Sequence, residues 1–120
     1  MSAKKKTRSS RPPRSPRLRL SAQAKIVLRG RYLAKNCAGT ILETPAQLFW
    51  RVASDIAQAE RLYPTASRLP HAAQRWYDCM TRLDFLSNSP ALMNAGRRLQ
   101  QLSACFVLPV EDSLPLFMTA

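Results

Sequence analysis

The sequence lacks the short motifs by which many enzymes are identified. It has three glycines in 120 residues and contains no glycine-rich phosphate loop, no HExxH metal motif and no paired-carboxylate signature. Its three cysteines are an odd number without a CxxC pair, which indicates neither a disulfide framework nor a zinc site. We therefore expect a protein of a reducing, cytoplasmic compartment.

Long apolar runs are also absent. No run approaches the roughly 20 residues that a membrane span requires, and the N-terminus has no apolar segment of the kind that a secretory signal carries. We expect no membrane partner. A chain of 120 residues makes about one small domain and is shorter than most complete enzymes.

Acidic residues are missing from residues 1–20, which hold eight basic side chains and three prolines. The other 100 residues hold 11 basic and 7 acidic side chains, so most of the net charge of +12 belongs to this tail. High charge with little to bury predicts a disordered segment. Three roles stay open: a solubilising extension, a contact with a polyanion or nucleic acid through its phosphates, and an organellar transit peptide, which the triple lysine and the prolines disfavour.

Two helices are predicted after the tail. Ser21 suits the N-cap of a helix over residues 22–34, and Gly39 marks the turn that follows it. Thr44, Pro45 and Gln47 have the spacing of a capping box and predict a second helix that ends near Arg61. The expected apolar face of the first helix comprises Ile26, Val27, Tyr32 and Leu33, and that of the second comprises Leu48, Phe49, Val52, Ile56 and Ala59. The expected polar side of the second comprises Arg51, Asp55, Gln58 and Glu60.

A third helix is predicted in "HAAQRWYDCMTRLDFL", after a loop bracketed by Pro64 and Pro70. Its apolar stripe is expected to comprise Ala73, Trp76, Met80 and Leu83. His71 at its start is expected to cap the helix or face solvent rather than bind a metal. Cys79, one position from the stripe, is expected to be a small buried hydrophobe.

The last part of the chain, "SNSPALMNAGRRLQQLSACFVLPVED", combines turns with one apolar run. Residues 103–110 read as a strand, but a single strand cannot satisfy its own backbone groups. The chain offers no obvious neighbouring strands, so we expect it to be part of something larger. Glu111 and Asp112 are adjacent and would point to opposite sides of a strand, which makes them a poor acid and base pair.

Two long stretches resemble a known family. The first is "LDFLSNSPALMNAGRRLQQLSACFVLPVEDSL", residues 83–114, and the second is "RYLAKNCAGTILETPAQLFWRVASDIAQAE", residues 31–60. Together they resemble the N-terminal portion of ribonucleotide reductase, above all the adenosylcobalamin-dependent class II enzymes. The resemblance covers about residues 21–120 in one register.

The resemblance implies a mainly α chain in three parts. These are a disordered basic tail at 1–20, the N-terminal helical region of the family at 21–100, and at 101–120 the start of an incomplete ten-stranded α/β barrel. It also implies that the chain is the N-terminal part of a ribonucleoside-diphosphate reductase, which makes 2'-deoxyribonucleotides for DNA synthesis by radical chemistry. Diphosphates and triphosphates both stay open as substrates.

The resemblance also implies site residues. The serine of NSP lines the substrate site in the family, where loop amides help to hold the phosphates, and Ser89 matches it. Ala104 and Cys105 match further substrate contacts, and the cysteine at the Cys105 position is one of two redox-active thiols that form a disulfide after turnover. The second redox cysteine, the radical cysteine and the adenosylcobalamin surface lie downstream in the family. Cys37 and Cys79 match none of them.

Two further interpretations remain. The chain, with half of the thiol pair and no radical site, is expected to be inactive alone and to need the remainder of the reductase, whether it is a fragment, a split subunit or a truncated product. The alternative is a non-catalytic basic protein that binds nucleic acid through residues 1–20 and partners through its helices. That alternative gives no reason for "SACFVLPVED".

Overall fold

The computed structural model of the chain describes residues 12–13, 18–63 and 69–107. The chain forms α1 (Ala22–Val27), a π-helix (Leu28–Tyr32), α2 (Pro45–Ile56), a 3-10 helix (Ala57–Leu62), α3 (Leu69–Thr81) and α4 (Ser89–Asn94). Within the described ranges the pairing of extended backbone is limited to one isolated antiparallel bridge, between Lys35 and Ile41. The predicted mainly α architecture is confirmed for these residues. Most of the predicted tail, and the end of the predicted strand, lie outside them.

The first helix begins where the sequence predicts but buries other residues. The Ser21 hydroxyl accepts a hydrogen bond from the Ala24 amide at 3.1 Å, as expected for an N-cap. The predicted apolar face is wrong in part, because Ile26 and Val27 are 64% and 49% exposed. After Val27 the helix widens into the π form, whose bonds join residues five apart. Leu28 and Leu33 therefore share the buried face.

The second helix has the predicted capping box at its start. The Thr44 hydroxyl accepts from the Gln47 amide at 3.3 Å, and the Gln47 side chain accepts from the Thr44 amide at 2.7 Å. Leu48, Phe49 and Val52 are buried as predicted. Ala59 is exposed, contrary to the prediction, because the helix tightens to 3.0 residues per turn after Ile56.

The third helix is present, but its buried stripe is shifted from the predicted one. Ala73 and Met80 are buried, and Tyr77 is buried between them with 1% exposure. Trp76 and Leu83 were predicted to be core residues but are 42% and 57% exposed. The buried stripe therefore runs from Ala73 through Tyr77 to Met80, with Tyr77 in the place predicted for Trp76. Leu83 lies beyond the end of α3 and has positive φ.

The core joins the π-helix, α2, α3 and α4, whereas α1 contributes no buried residue. Its buried members are Leu28, Leu33, Leu48, Phe49, Val52, Ala53, Tyr77, Met80, Leu92 and Ala95. The Trp50 and Tyr77 rings meet edge to face, with centroids 5.4 Å apart, and so fix the crossing of α2 and α3. α4 packs against α2 and the π-helix, which places the NSP turn beside Tyr32.

Candidate functional site

The NSP turn begins α4. Asn88 is its N-cap, and the Asn88 Oδ1 atom accepts a hydrogen bond from the Ala91 amide at 3.1 Å. Ser89 is the first helical residue, and Pro90 follows at a position that needs no amide donor. Ser89 is exposed, so its hydroxyl lies at the surface of the described structure.

Two asparagines attach the segment 101–105 to α4. The Asn88 Nδ2 group donates to the Leu102 carbonyl at 3.2 Å, and the Asn94 Nδ2 group donates to the Gln101 carbonyl at 2.8 Å. Ser89 directly follows Asn88, while Ala104 and Cys105 follow Leu102 by two and three residues. The structure therefore brings the two stretches that carry the predicted site residues into contact through one side chain. The roles of those residues stay predictions.

Cys105 is exposed and lies in backbone without secondary structure. Its carbonyl accepts from the Ser103 hydroxyl at 3.1 Å, and its thiol is free and exposed. Ala104 is exposed as well. Residues 103–107 form no strand in the described structure, and Val107 is fully exposed. Residues 108–110 lie outside the described ranges, so the predicted strand stays a prediction.

A tyrosine contacts the predicted substrate serine. The hydroxyls of Tyr32 and Ser89 lie 2.9 Å apart, and either oxygen can donate. Sequence reasoning treated Tyr32 as part of an apolar face and missed this contact. No local pattern signals it, because the two residues are 57 positions apart and meet through the packing of α4 on the π-helix.

A half-buried ion cluster lies beneath the same region. Glu43, whose side chain is 10% exposed, accepts from Arg51 at 2.9 and 3.1 Å, from Arg97 at 3.1 Å and from the Ala34 amide at 2.8 Å. Burial alone would raise the pKa of Glu43. The hydrogen bonds from Arg51, Ala34 and Arg97 outweigh burial and, with the charge of Arg51, hold the pKa below its usual value.

The two arginines extend this cluster to the site. Arg51 donates to the carbonyls of Leu92, at 3.2 Å, and Ala95, which end α4. Arg97 donates to the Tyr32 carbonyl at 2.8 Å. Arg51 was predicted to lie on the polar side of α2. Its guanidinium joins the Glu43 carboxylate to α4, a contact that the prediction did not include. One carboxylate thereby fixes both partners of the Tyr32–Ser89 contact.

In the described part of the chain, the remaining histidine, cysteine and acidic side chains do not form a second candidate site. That part contains no cluster of three His, Cys, Asp or Glu side chains that would hold a metal ion. His71 is exposed, and Cys79 is only partly buried. None of the described helices has the length and apolar character needed to cross a membrane. Glu111 and Asp112 lie outside the described residues.

Comparison with known proteins gives one family. Residues 18–100 match the all-alpha domain of ribonucleotide reductase. A vitamin B12-dependent ribonucleoside-diphosphate reductase of Mycobacterium tuberculosis is 46% identical over 98 residues, which cover 81% of this chain and 14% of the relative. An enzyme of the same name from Thermoplasma acidophilum is 35% identical over 151 aligned residues, covering 81% of this chain and 20% of the relative.

A more distant match has a different name. The ribonucleoside-diphosphate reductase large subunit of African swine fever virus is 36% identical over 87 residues, covering 72% of this chain and 10% of the relative. The chain thus spans a fifth or less of the length of these relatives.

Proposed function

The chain belongs to the ribonucleotide reductase family, where it corresponds to the N-terminal portion of the vitamin B12-dependent enzymes, and from that premise we propose its function. It supplies one wall of the substrate site and one of the two reducing thiols. In this proposal Ser89, Ala104 and Cys105 contact the ribonucleotide, and Cys105 also takes part in its reduction. The observation that carries the proposal is the Asn88 bond to the Leu102 carbonyl.

That bond matters because the proposed site uses two separate stretches of chain. Ser89 begins a helix, while Ala104 and Cys105 lie in exposed backbone without secondary structure. A substrate contact requires both stretches to be held at one location. Asn88 supports this arrangement, since its Oδ1 fixes the start of α4 and its Nδ2 holds Leu102.

The proposed reduction needs two thiols, of which this chain supplies one. Replacing the 2'-hydroxyl of a ribonucleotide by hydrogen consumes two electrons and two protons and releases water. Two thiols supply both when they become a disulfide. Cys105 is one of these thiols, and a cysteine outside this chain is the other. The Cys105 thiol is free and exposed, as this role requires, and the family resemblance distinguishes it from Cys37, which is also free and exposed.

The proposed cofactor is adenosylcobalamin, which when bound starts the radical chemistry of the class II enzymes. In the family that this chain matches, the adenosylcobalamin surface lies downstream of the matched segment. We therefore place cobalamin binding in the remainder of the enzyme. Cys105, Ser89 and Ala104 act on the substrate and not on the cofactor.

The proposed partner is the remainder of the reductase, and exposed apolar side chains support it. Leu83, Phe85 and Leu86, which follow α3, are 46% to 58% exposed, and Phe106 and Val107 beside Cys105 are 65% and 100% exposed. Large apolar side chains that are exposed in groups along the chain are typical of an interface. Because relatives are at least five times longer than the matched segment, we propose that the barrel covers these residues. The chain alone is expected to show no turnover.

A chimaera tests the proposed function. Residues 18–120 of this chain replace the matching segment of the Mycobacterium tuberculosis relative, and adenosylcobalamin-dependent reduction of ribonucleoside diphosphates is measured. We expect the chimaera to be active, Cys105→Ser to abolish multiple turnover, and Cys37→Ser to leave it unchanged. Cys37 is the matched control because its thiol is also free and exposed. Full turnover by the Cys105→Ser chimaera, or by the isolated chain, would contradict the proposal.

A second candidate function, nucleic-acid contact, rests on the charge distribution. Residues 1–42 contain twelve basic residues and no acid, whereas residues 43–120 contain seven of each. Within the described part, the basic side chains at 25, 29, 31 and 35 are all exposed and join none of the ion pairs. A surface of this kind attracts phosphates.

Removal of residues 1–20 tests this second function. We expect the full chain to bind a fluorescein-labelled single-stranded DNA, with an affinity that falls steeply with salt. Deletion of residues 1–20 is expected to remove most of the binding. A control in which Arg61, Arg75 and Arg98 become alanine, all exposed and outside the basic region, should bind nearly as well as wild type. Binding that survives the deletion, or is absent from the full chain, would contradict it.

A further inference from the structure

We propose that Tyr32 is a positioning residue that orients the Ser89 hydroxyl toward the nucleotide. The inference rests on the proposed function, because it assumes that Ser89 contacts substrate. It starts from the 2.9 Å contact between the Tyr32 and Ser89 hydroxyls. The chain would then contribute to substrate binding from its first helical segment as well as from the NSP turn.

Tyr32 is held firmly enough to act as a reference point. It is the last residue of the π-helix, and π-helical turns occur frequently at functional sites. Its carbonyl accepts from Arg97 at 2.8 Å, and Arg97 in turn contacts the buried Glu43 carboxylate at 3.1 Å. The Arg31 guanidinium lies 5.9 Å from the centre of the Tyr32 ring. The phenol therefore reaches Ser89 from a backbone that the ion cluster fixes.

The direction of the hydrogen bond decides what Ser89 can do. A serine hydroxyl has one proton and two lone pairs. Either oxygen can donate in this contact, and because a phenolic O–H is a stronger donor than an aliphatic one, the proposal assigns Tyr32 as the donor and Ser89 as the acceptor. The Ser89 proton is then free for an oxygen acceptor on the nucleotide. Without Tyr32 the hydroxyl rotates freely, and ordering it again on binding lowers affinity.

Nuclear magnetic resonance of the full 120-residue chain tests the inference. Cytidine 5'-diphosphate is titrated to millimolar concentration, and the amide signals of Asn88, Ser89 and Ala91 are followed. We expect Ser89→Ala to weaken binding, and Tyr32→Phe to weaken it about three- to tenfold, the range for one hydrogen bond worth about 0.7 to 1.4 kcal/mol. The double variant should bind no more weakly than Ser89→Ala, because Tyr32 acts through Ser89. Tyr63→Phe, at an exposed tyrosine, is the matched control.

The active chimaera gives a second readout. Tyr32→Phe should raise KM about three- to tenfold and change kcat less than twofold, since a positioning contact acts on binding. Unchanged urea midpoints and spectra of the variants exclude a general loss of structure. Wild-type binding by Tyr32→Phe together with weakened binding by Ser89→Ala would overturn the inference and leave the proposed function intact. Wild-type binding by Ser89→Ala, or no binding by the wild-type chain, would overturn the role of Ser89 and the inference with it.

Discussion

Two irregular segments of this protein differ in how their polar groups are hydrogen-bonded. The loop at residues 33–44 closes on itself, with the Leu42 amide donating to the Ala34 carbonyl at 2.8 Å and the Asn36 amide donating to the Thr40 carbonyl at 3.0 Å. The Glu43 carboxylate at its end is saturated by Arg51, Arg97 and a backbone amide. The segment at residues 101–107 is exposed at every position and is attached by two asparagine side chains.

The difference lies in how many of the contacts of each segment are made within the described chain. The polar groups of the Glu43 loop are bonded within the loop and to Arg51 and Arg97, although its Ile41 and Leu42 side chains are 41% and 62% exposed. The 101–107 segment presents Phe106 and Val107 to solvent beside the proposed redox cysteine. The free energy of unfolding should therefore depend mainly on the Glu43 loop, and the proposed chemistry on residues 101–107. Five predictions test this difference between the two segments.

The largest expected effect is at Glu43. Glu43→Ala leaves Arg51 and Arg97 without their shared carboxylate, and because the cluster is half-buried the cost should be about 3 kcal/mol, the low end of the range for a buried pair. Urea unfolding followed by circular dichroism should show that loss of unfolding free energy. Asp84→Asn is the control, because the Arg82–Asp84 pair is more than half exposed and should leave the midpoint near that of wild type. Equal effects of the two variants would contradict the prediction.

The next effect is expected at Gly96, where the backbone crosses Arg51. Gly96 has a φ of +68°, and an added Cβ would lie 2.9 Å from the Arg51 Cγ atom. Gly96→Ala should therefore cost about 2 kcal/mol or more, combining left-handed strain with displacement of Arg51. Gly39 has a φ of +80° but open space around it. Gly39→Ala should show the strain alone, about 1–2 kcal/mol, and a larger loss there would refute the role given to Arg51.

A smaller effect is expected from protonating Glu43. Because its folded pKa is lowered, the carboxylate contributes stability that is present above the pKa of the unfolded chain and is lost as pH falls through the folded pKa. The 13C signal of the Glu43 carboxyl should titrate at lower pH in the folded chain than in the urea-unfolded chain. Titration of the folded chain at the same or higher pH would contradict the assigned cluster.

These effects also show what could be predicted from sequence. The Ser21 cap and the Thr44 box were predicted correctly because their partners lie within three residues. The stripe of α3 was misassigned by one position, since residues 76 and 77 are both aromatic and both fit a helical repeat. The Glu43 cluster was missed because Arg97 is 54 positions away. The proposed roles of Ser89 and Cys105 came from the family resemblance, not from local pattern.

The fourth prediction concerns Asn88, which belongs to both the cap and the segment. Asn88→Asp keeps the oxygen that caps α4 but removes the amide that donates to Leu102, whereas Asn88→Ala removes both. We expect a loss of about 1 kcal/mol for alanine and a smaller loss for aspartate. The 15N relaxation order parameters of residues 101–105 should fall in both variants, because the Leu102 carbonyl loses its donor. Order parameters that stay at the wild-type value in the aspartate variant would show that Asn88 does not hold this segment.

The smallest effect on stability is expected at Cys105, the residue on which the proposed chemistry depends most. Its side chain is exposed, and the contact recorded for this residue is made by its carbonyl, so Cys105→Ser should change the unfolding free energy by less than about 0.5 kcal/mol. In the native chain, iodoacetamide should modify Cys105 and Cys37 faster than the partly buried Cys79. A Cys105 that is protected from the reagent, or whose replacement unfolds the protein, would mean that the 101–107 segment is closed within this chain. The contrast with the Glu43 loop would then disappear, because both segments would find their partners in the same polypeptide.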